Sequence, residues 1–472
     1  MDTTSTAGIL AQFALLINVP EAALRLLVSI LLGFPLAFFH RHYLYGKNPT
    51  QQHLYFIVSS LVLGYWNYGF NIVHPIAAIC ITFLILKIIG GSQISVLVIF
   101  LFNMIYLLYG YYTTSTKNYD ITWTMPQCVL TLRLIGLAFN LMDGKISDDK
   151  LSAFQKETNI KKAPSFLEIS AFTLFPGSFL IGPQFSYRRY EDYVNGKLIN
   201  SDGISKPNCL TAAFTRASLG FVYVAVYKIG TIYINEQHLL NASFYESGFF
   251  KQCFILGIWG RLNLYKYISC WLISEGVCTM FGLTYNGKDE KGLEKWNGCE
   301  NVKLGLFENC SEFNHYIMSF NINTNHWCAE YIYKRLKFLG SKLYSQLVTL
   351  LFLSVWHGFH SGYYLCFFME FIIMYFEKDF FPVLQKCEEW QKLKTESVLV
   401  RIAIWITLKV YVLVFMGYAL IPFVYLSYPS YTQVFASVYY CGHIVFLGYP
   451  LLAPFLKRLI LKPKRPSRQH QE

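Results

Sequence analysis

Long apolar runs recur along the whole chain, separated by short stretches that hold most of the charged residues. They occupy residues 22–39, 54–72, 76–89, 94–111, 122–141, 166–185, 210–229, 249–283, 343–375, 398–426 and 434–461. The runs are continuous and do not alternate, which fits transmembrane helices and not the dyad pattern of a membrane β-barrel. A helix needs about 20 apolar residues to cross the hydrocarbon core. The pattern predicts an all-α polytopic membrane protein, a helical bundle of about 10–12 membrane segments. Residues 166–185 hold Pro176, Gly177, Gly182 and Pro183, so this run reads as a broken or re-entrant segment. Such backbone is tolerated at membrane depth only against protein or a water-filled cavity. No internal repeat is visible, so a transporter built on inverted repeats is not supported. One integral domain is expected over 1–462, followed by a basic, polar tail at 463–472.

Composition agrees. Of 472 residues 54% are hydrophobic, 18% aromatic and only 14% charged, against roughly 25% charged in soluble chains. The net charge of +12 suits cytoplasmic loops facing anionic lipid; no separate basic domain points to nucleic acid. Arg41 and Lys47 follow the first run, which places the N-terminus on the lumenal side and Lys87 and the loop 145–162 in the cytosol. If 166–185 is re-entrant, the basic loop 188–206 is cytosolic too. The sequon at Asn241 then faces the lumen as a glycosylation candidate, and the one at Asn309 does not. Single crossings would leave the basic stretch 457–468 in the lumen. Parity is repaired if 249–283 or 343–375 crosses twice, since each exceeds the ~20 residues of one span, or if another segment is re-entrant. The N-terminus lacks a basic n-region and reads as retained. Twelve cysteines are scattered without CxxC pairing, so no metal site is expected. Cys299 and Cys310 share a loop and could bridge only in an oxidising compartment.

The chemistry-bearing residues lie at 319–364. Trp356-His357-Gly358 sits inside apolar sequence, where an ionisable group is a functional hypothesis by default. Imidazole is suited to general-base work; the competing reading is a core histidine bonded to a carbonyl. Upstream, Asn321, Asn323 and Asn325 make a hydrogen-bond-rich stretch that reads as helix-poor. An uncharged amide there could polarise a carbonyl or orient a hydroxyl, or simply cap a helix.

Phe320-Asn321-x-x-Thr324-x-x-Trp327, followed by Trp356-His357-Gly358-x-x-x-Gly362-Tyr363 with His357 36 positions after Asn321, resembles the membrane-bound O-acyltransferase superfamily. Within it, the likeness is to the lysophospholipid acyltransferase branch. Residues 118–126, 183–185, 264–267, 274–277 and 319–340 extend it over most of the chain. The resemblance implies a bundle enclosing an internal reaction chamber, His357 as catalytic base and Asn321 as oxyanion stabiliser or orienter. It implies acyl-CoA as co-substrate with no permanent cofactor, a lysophospholipid acceptor and a polyunsaturated acyl preference. Multi-pass residence in the endoplasmic reticulum membrane follows from it as well. Phe320 stands where relatives often carry Trp, which keeps an aromatic and favours the phosphatidylcholine-type branch.

Trp356, His360, Thr324 and Trp327 are further substrate-contact candidates. Lys334, Arg335, Lys337 and Lys342 are candidates for coenzyme A phosphates, or a juxtamembrane face on anionic lipid. Lys266 and Glu275 are candidates for a hydrophilic headgroup cavity, with Lys266 alternatively snorkelling. Partners are then lysophospholipid, acyl-CoA, the bilayer and, as an open question, a second copy of the chain. Another acceptor (a sterol, diacylglycerol or peptide) and a proton-coupled transporter using His357, Lys266 and Glu275 remain as alternatives.

Overall fold

The structure, a computed structural model, describes residues 8–114, 121–198 and 206–461. The motif residues 118–120, the N-terminal residues 1–7 and the tail 463–472 lie outside them. In chain order the helices are α1 Ile9–Leu16, α2 Glu21–Phe39, α3 Pro49–Tyr68, α4 Val73–Ile89, α5 Gln93–Thr114, α6 Thr124–Asp143 and α7 Ala153–Thr158. There follow α8 Phe166–Thr173, α9 Tyr187–Val194, α10 Leu210–Tyr233, α11 Ala242–Tyr245, α12 Phe249–Phe281, α13 Leu304–Glu308 and α14 Phe313–Ser319. The last are α15 Ile322–Tyr331, α16 Lys342–His357, α17 Ser361–Lys386, α18 Glu388–Glu396, α19 Val398–Tyr425, α20 Tyr428–Ser437 and α21 Cys441–Ile460. Among the described residues β pairing is limited to two isolated bridges. The fold is all-α and polytopic, as the apolar runs require.

Seven helical stretches among the described residues are long and apolar enough to cross a membrane. Of the run 249–283, residues Phe249–Phe281 form one continuous helix, α12, so that run does not fold back on itself. Residues 343–375 are instead divided between α16 and α17. The break falls at Gly358, whose φ of 127° is readily reached only without a side chain.

Two compact units are distinguished along the chain. The first comprises Met1–Ile229, Leu264–Lys303 and Ser319–Phe359, and the second Gly230–Asn263, Leu304–Met318 and His360–Glu472.

In the first unit α6 is the most enclosed helix, with 78% of its apolar window buried, against at most 39% in the other candidate spans. The run 166–185 breaks as its Pro and Gly spacing predicts: α8 ends at Thr173 and an irregular chain follows. Buried carbonyls in apolar surroundings must find donors, and α6 and α12 supply them. Arg133, only 2% exposed, donates to the carbonyls of Phe172 (3.2 Å), Thr173 (3.0 Å) and Pro183 (3.1 Å) and to Ser178 Oγ (2.6 Å). Its guanidinium lies 4.5 Å from the Phe185 ring centroid. Gln184 Nε2 donates to Val129 O at 2.8 Å, and Ser274 Oγ donates to Gly177 O at 2.9 Å.

In the second unit, α12 and α19 meet at two glycines. A Cβ on Gly260 would lie 2.4 Å from Gly417 Cα, closer than non-bonded carbons approach. Glu377 of α17 accepts the Phe313 backbone N–H at 2.8 Å, and Asp379 holds Lys457 of α21 at 2.6 Å. Gly260→Leu is expected to force α12 from α19 and lower unfolding stability by about 1–3 kcal/mol, the usual cost of overpacking. Gly248→Leu, whose added Cβ meets nothing within 4 Å, should leave it nearly unchanged. Thermal unfolding of the two variants in detergent checks this.

Candidate active site

The stretch that reads as helix-poor is in fact helical: α15 starts immediately after Asn321. Asn321 takes the left-handed conformation (φ 49°, ψ 43°) at the N-cap position, a region that Asn enters more readily than most residues. The asparagine cluster marks a helix start, and Asn323 and Asn325 lie in its first turn. The basic run after it is a 3-10 helix over Tyr333–Leu339.

From there α15 presents one face inward. Thr324, Trp327, Cys328 and Tyr331 are buried at the i, i+3, i+4, i+7 spacing of a helix face. Trp327 stacks on Phe352 of α16 with ring centroids 5.8 Å apart, and Tyr331 donates its hydroxyl to Asn140 Oδ1 of α6 at 2.6 Å. On α16, Trp356 Nε1 donates to Cys128 O of α6 at 3.1 Å. The half-buried His357 follows as the last residue of α16, its ring 4.7 Å from that of Trp356. Both motif helices are thus docked on α6, and Trp327, Phe352, Trp356, Leu132 and Ile135 share one core.

Glu275 of α12 is 2% exposed and accepts the backbone N–H groups of Asn301 (2.9 Å) and Val302 (3.1 Å). Arg216 of α10 pairs with it at 3.2 Å and with Glu300 at 2.5 Å. No motif or period in the sequence marks Arg216, whose partners Glu275 and Glu300 lie far from it along the chain. Lys266 is half-buried with Nζ 5.4 Å from the Tyr267 ring. The basic residues after α15 are partly committed: Lys334 pairs with Glu330, and Arg335 forms a two-pronged pair with buried Asp143 of α6 (2.8 and 2.5 Å). Lys337 and Lys342 are exposed.

A cavity of about 260 Å³ lies beside the motif helix. It is lined by Arg133, Gly136 and Asn140 of α6, by Asn323, His326 and Trp327 of α15, and by Gln184, Arg188, Arg189 and Asp192 around α9. Trp327 Nε1 and Arg133 Nε are buried here without a hydrogen-bond partner among the described residues. Gly136 makes the room: a Cβ there would lie 3.0 Å from Trp327 Nε1. Of the residues singled out in the sequence, Trp327, Asn323, Gln184 and Phe185 line this cavity; Lys334, Arg335 and Lys337 do not. Arg133 carried a readable signal, being the only charged residue in the run 122–141.

His360 falls in the second unit, its ring 6.0 Å from Tyr363. Asn241 and Asn309 are both exposed. Cys299 and Cys310 are buried thiols.

Residues 108–421 match the profile of MBOAT, the membrane-bound O-acyltransferase family. Lysophospholipid acyltransferase 5 of Homo sapiens is 43% identical over 455 residues, covering 96% of this chain and 93% of that protein. The Drosophila melanogaster protein of the same name is 42% identical, covering 92% and 87%. That of Caenorhabditis elegans is 33% identical over 98% of both chains.

Removing one partner of a buried ion pair strands the other charge. Arg335→Met should destabilise the protein by about 3–5 kcal/mol, and adding Asp143→Asn should restore much of the loss. Unfolding midpoints of the single and double variants in detergent test this.

Proposed function

Because the chain belongs to the membrane-bound O-acyltransferase family, we propose that it carries a fatty acyl group from acyl-CoA to the free sn-2 hydroxyl of a lysophospholipid. Lysophosphatidylcholine is the first acceptor, with lysophosphatidylethanolamine and lysophosphatidylserine beside it, and the acyl chain is polyunsaturated by preference. The endoplasmic reticulum membrane is the compartment that goes with this phospholipid remodelling. The observation that carries the reading is the docking of both motif helices on α6 next to a cavity rich in guanidinium groups. The names of the relatives support the acceptor class.

The thioester is already an activated acyl donor, whereas a lipid hydroxyl is a poor nucleophile at neutral pH. Neutral His357 takes the hydroxyl proton as the oxygen attacks the thioester carbonyl. The negative charge that develops on the carbonyl oxygen is met by Asn321. Collapse of the tetrahedral intermediate breaks the C–S bond. Coenzyme A leaves as a thiolate and takes the proton back from the imidazolium. No covalent acyl-enzyme is required, since holding both substrates together supplies much of the rate.

The cavity is the place for the donor's pantetheine and phosphates. Arg133, Arg188 and Arg189 outnumber the carboxylates of Glu157 and Asp192 on its wall. Arg188 spans Glu191 and Asp192 at 3.4 and 3.5 Å, distances loose enough to yield to a phosphate, for which a guanidinium fork is well shaped. Trp327 Nε1 offers an amide or phosphate a donor hydrogen. This wall belongs to the basic loops expected in the cytosol, where acyl-CoA is delivered.

Purified protein with labelled acyl-CoA and a panel of lysophospholipids tests the assignment. His357→Ala should lose about 10²–10⁴ in acyl transfer while keeping its fold; full activity would refute the mechanism. Arg188→Gln and Trp327→Phe should raise the KM for acyl-CoA about tenfold, the low end of what a lost hydrogen bond to a charged group accounts for, and leave that for the lysophospholipid unchanged.

A further inference from the structure

Asn321 is fixed by a network that the motif does not contain. Asn301 touches three consecutive residues at the start of α15. Its backbone carbonyl accepts from Ile322 N at 3.0 Å, its Oδ1 accepts from Asn323 N at 3.1 Å, and its Nδ2 donates to Asn321 Oδ1 at 3.4 Å. The strand-like bridge of Val302 with Phe320, sealed by Lys303 N to Ser319 O at 2.9 Å, aligns the two segments. Asn301 is itself held from behind. The Glu275 carboxylate takes the N–H groups of Asn301 and Val302, and Arg216 braces that carboxylate.

We propose that Asn301, anchored by Glu275 and Arg216, is a positioning residue that sets the amide of Asn321 with its NH₂ toward the reacting carbonyl. An asparagine amide can turn over and exchange oxygen for nitrogen at nearly equal cost in free space. Here its Oδ1 is engaged by the Asn301 NH₂, so the group that Asn321 has left to offer a substrate is a donor. A donor suits the oxyanion of the tetrahedral intermediate; it cannot accept the proton of the attacking hydroxyl. The inference rests on the reading of Asn321 given above and narrows its two roles to one. It also assigns Glu275, a headgroup candidate on sequence grounds, to anchoring the backbone.

The network explains the left-handed backbone of Asn321. That conformation is held by the contacts of Asn301 with residues 321–323 and by the bridge at residue 320. Glu275 and Arg216 act on the site through Asn301 and through Val302, the partner of Phe320 in the bridge.

The test is a double-mutant cycle on the full-length enzyme in lipid nanodiscs, with arachidonoyl-CoA and lysophosphatidylcholine as probes. Asn301→Ala is expected to lower kcat about tenfold, a fraction of what losing a whole oxyanion donor costs, with both KM values within about twofold. In the Asn321→Ala background the same change should cost nothing further, because the group it positions is gone. Asn301→Asp keeps an acceptor for Asn323 N and the backbone contacts but places an oxygen against Asn321 Oδ1. It should lose kcat as Asn301→Ala does, and Asn301→Ser, which also removes the NH₂ but buries no carboxylate, secures the test if the alanine variant does not fold. Equal losses from Asn301 changes in the presence and absence of the Asn321 amide would overturn the proposal, as would an effect on KM alone or wild-type kcat. Full activity of Asn321→Ala would instead sink the catalytic reading on which it rests.

Discussion

A broken backbone buried in apolar surroundings is the constraint on which the first unit depends. Residues 174–185 leave the helical path, so their polar groups and the last carbonyls of α8 need partners where water cannot be counted on. Arg133 provides several at once, from a helix otherwise as apolar as its neighbours. A neutral donor would serve one or two acceptors; a guanidinium presents five N–H groups in a fixed plane. The burial of that charge is tolerated because carbonyl dipoles and the Phe185 face surround it, with no carboxylate needed. α6 is thereby locked to the irregular segment, and its opposite faces are left for the motif helices.

The placement of the site follows from that lock. Trp356 reaches the carbonyl of Cys128, Tyr331 reaches Asn140, and Arg335 reaches Asp143. The three contacts fall along one helix from its second turn to its last residue. α15 and α16, carrying Asn321 and His357, are thus referenced to a common rigid element, the condition for positioning reacting groups to within a fraction of an ångström. The cavity shares the same wall, since Arg133, Gly136 and Asn140 line it from the neighbouring face of α6. One helix therefore organises the broken segment, the motif pair and the cavity beside them.

The fold class was legible because continuous apolar runs have few alternative explanations, and the break in 166–185 because proline and glycine act locally. The asparagine stretch misled for a related reason. Local propensity disfavours helix there, but the packing of Thr324, Trp327, Cys328 and Tyr331 on α6 and α16 overrides it, as burial commonly does. Asn321 and His357 were legible as a spaced motif pair. Glu275 was noticed for its charge at depth, but its role was not legible, because Arg216, Glu275 and Asn301 lie far apart in sequence and share no period. The basic run after α15 suggested phosphate contacts by composition alone. In the fold two of its charges, Lys334 and Arg335, meet carboxylates, and the guanidinium groups facing the cavity come from α6 and α9.

This distribution of charge suits the proposed reaction. A permanently charged base or acid at the reacting centre would have to be desolvated in every resting enzyme molecule. A neutral imidazole and a neutral amide carry far less of that cost, and they suffice because the thioester needs no prior activation. Charge then appears only transiently, as an oxyanion and an imidazolium formed together and extinguished together when the thiolate leaves. The permanent charges of Arg216, Glu275 and Arg133 are committed to backbone groups and to one another, where they hold geometry. On that division of labour, changing Glu275 to a neutral residue should act on the site through the orientation of Asn321 and leave the chemistry of His357 as it is.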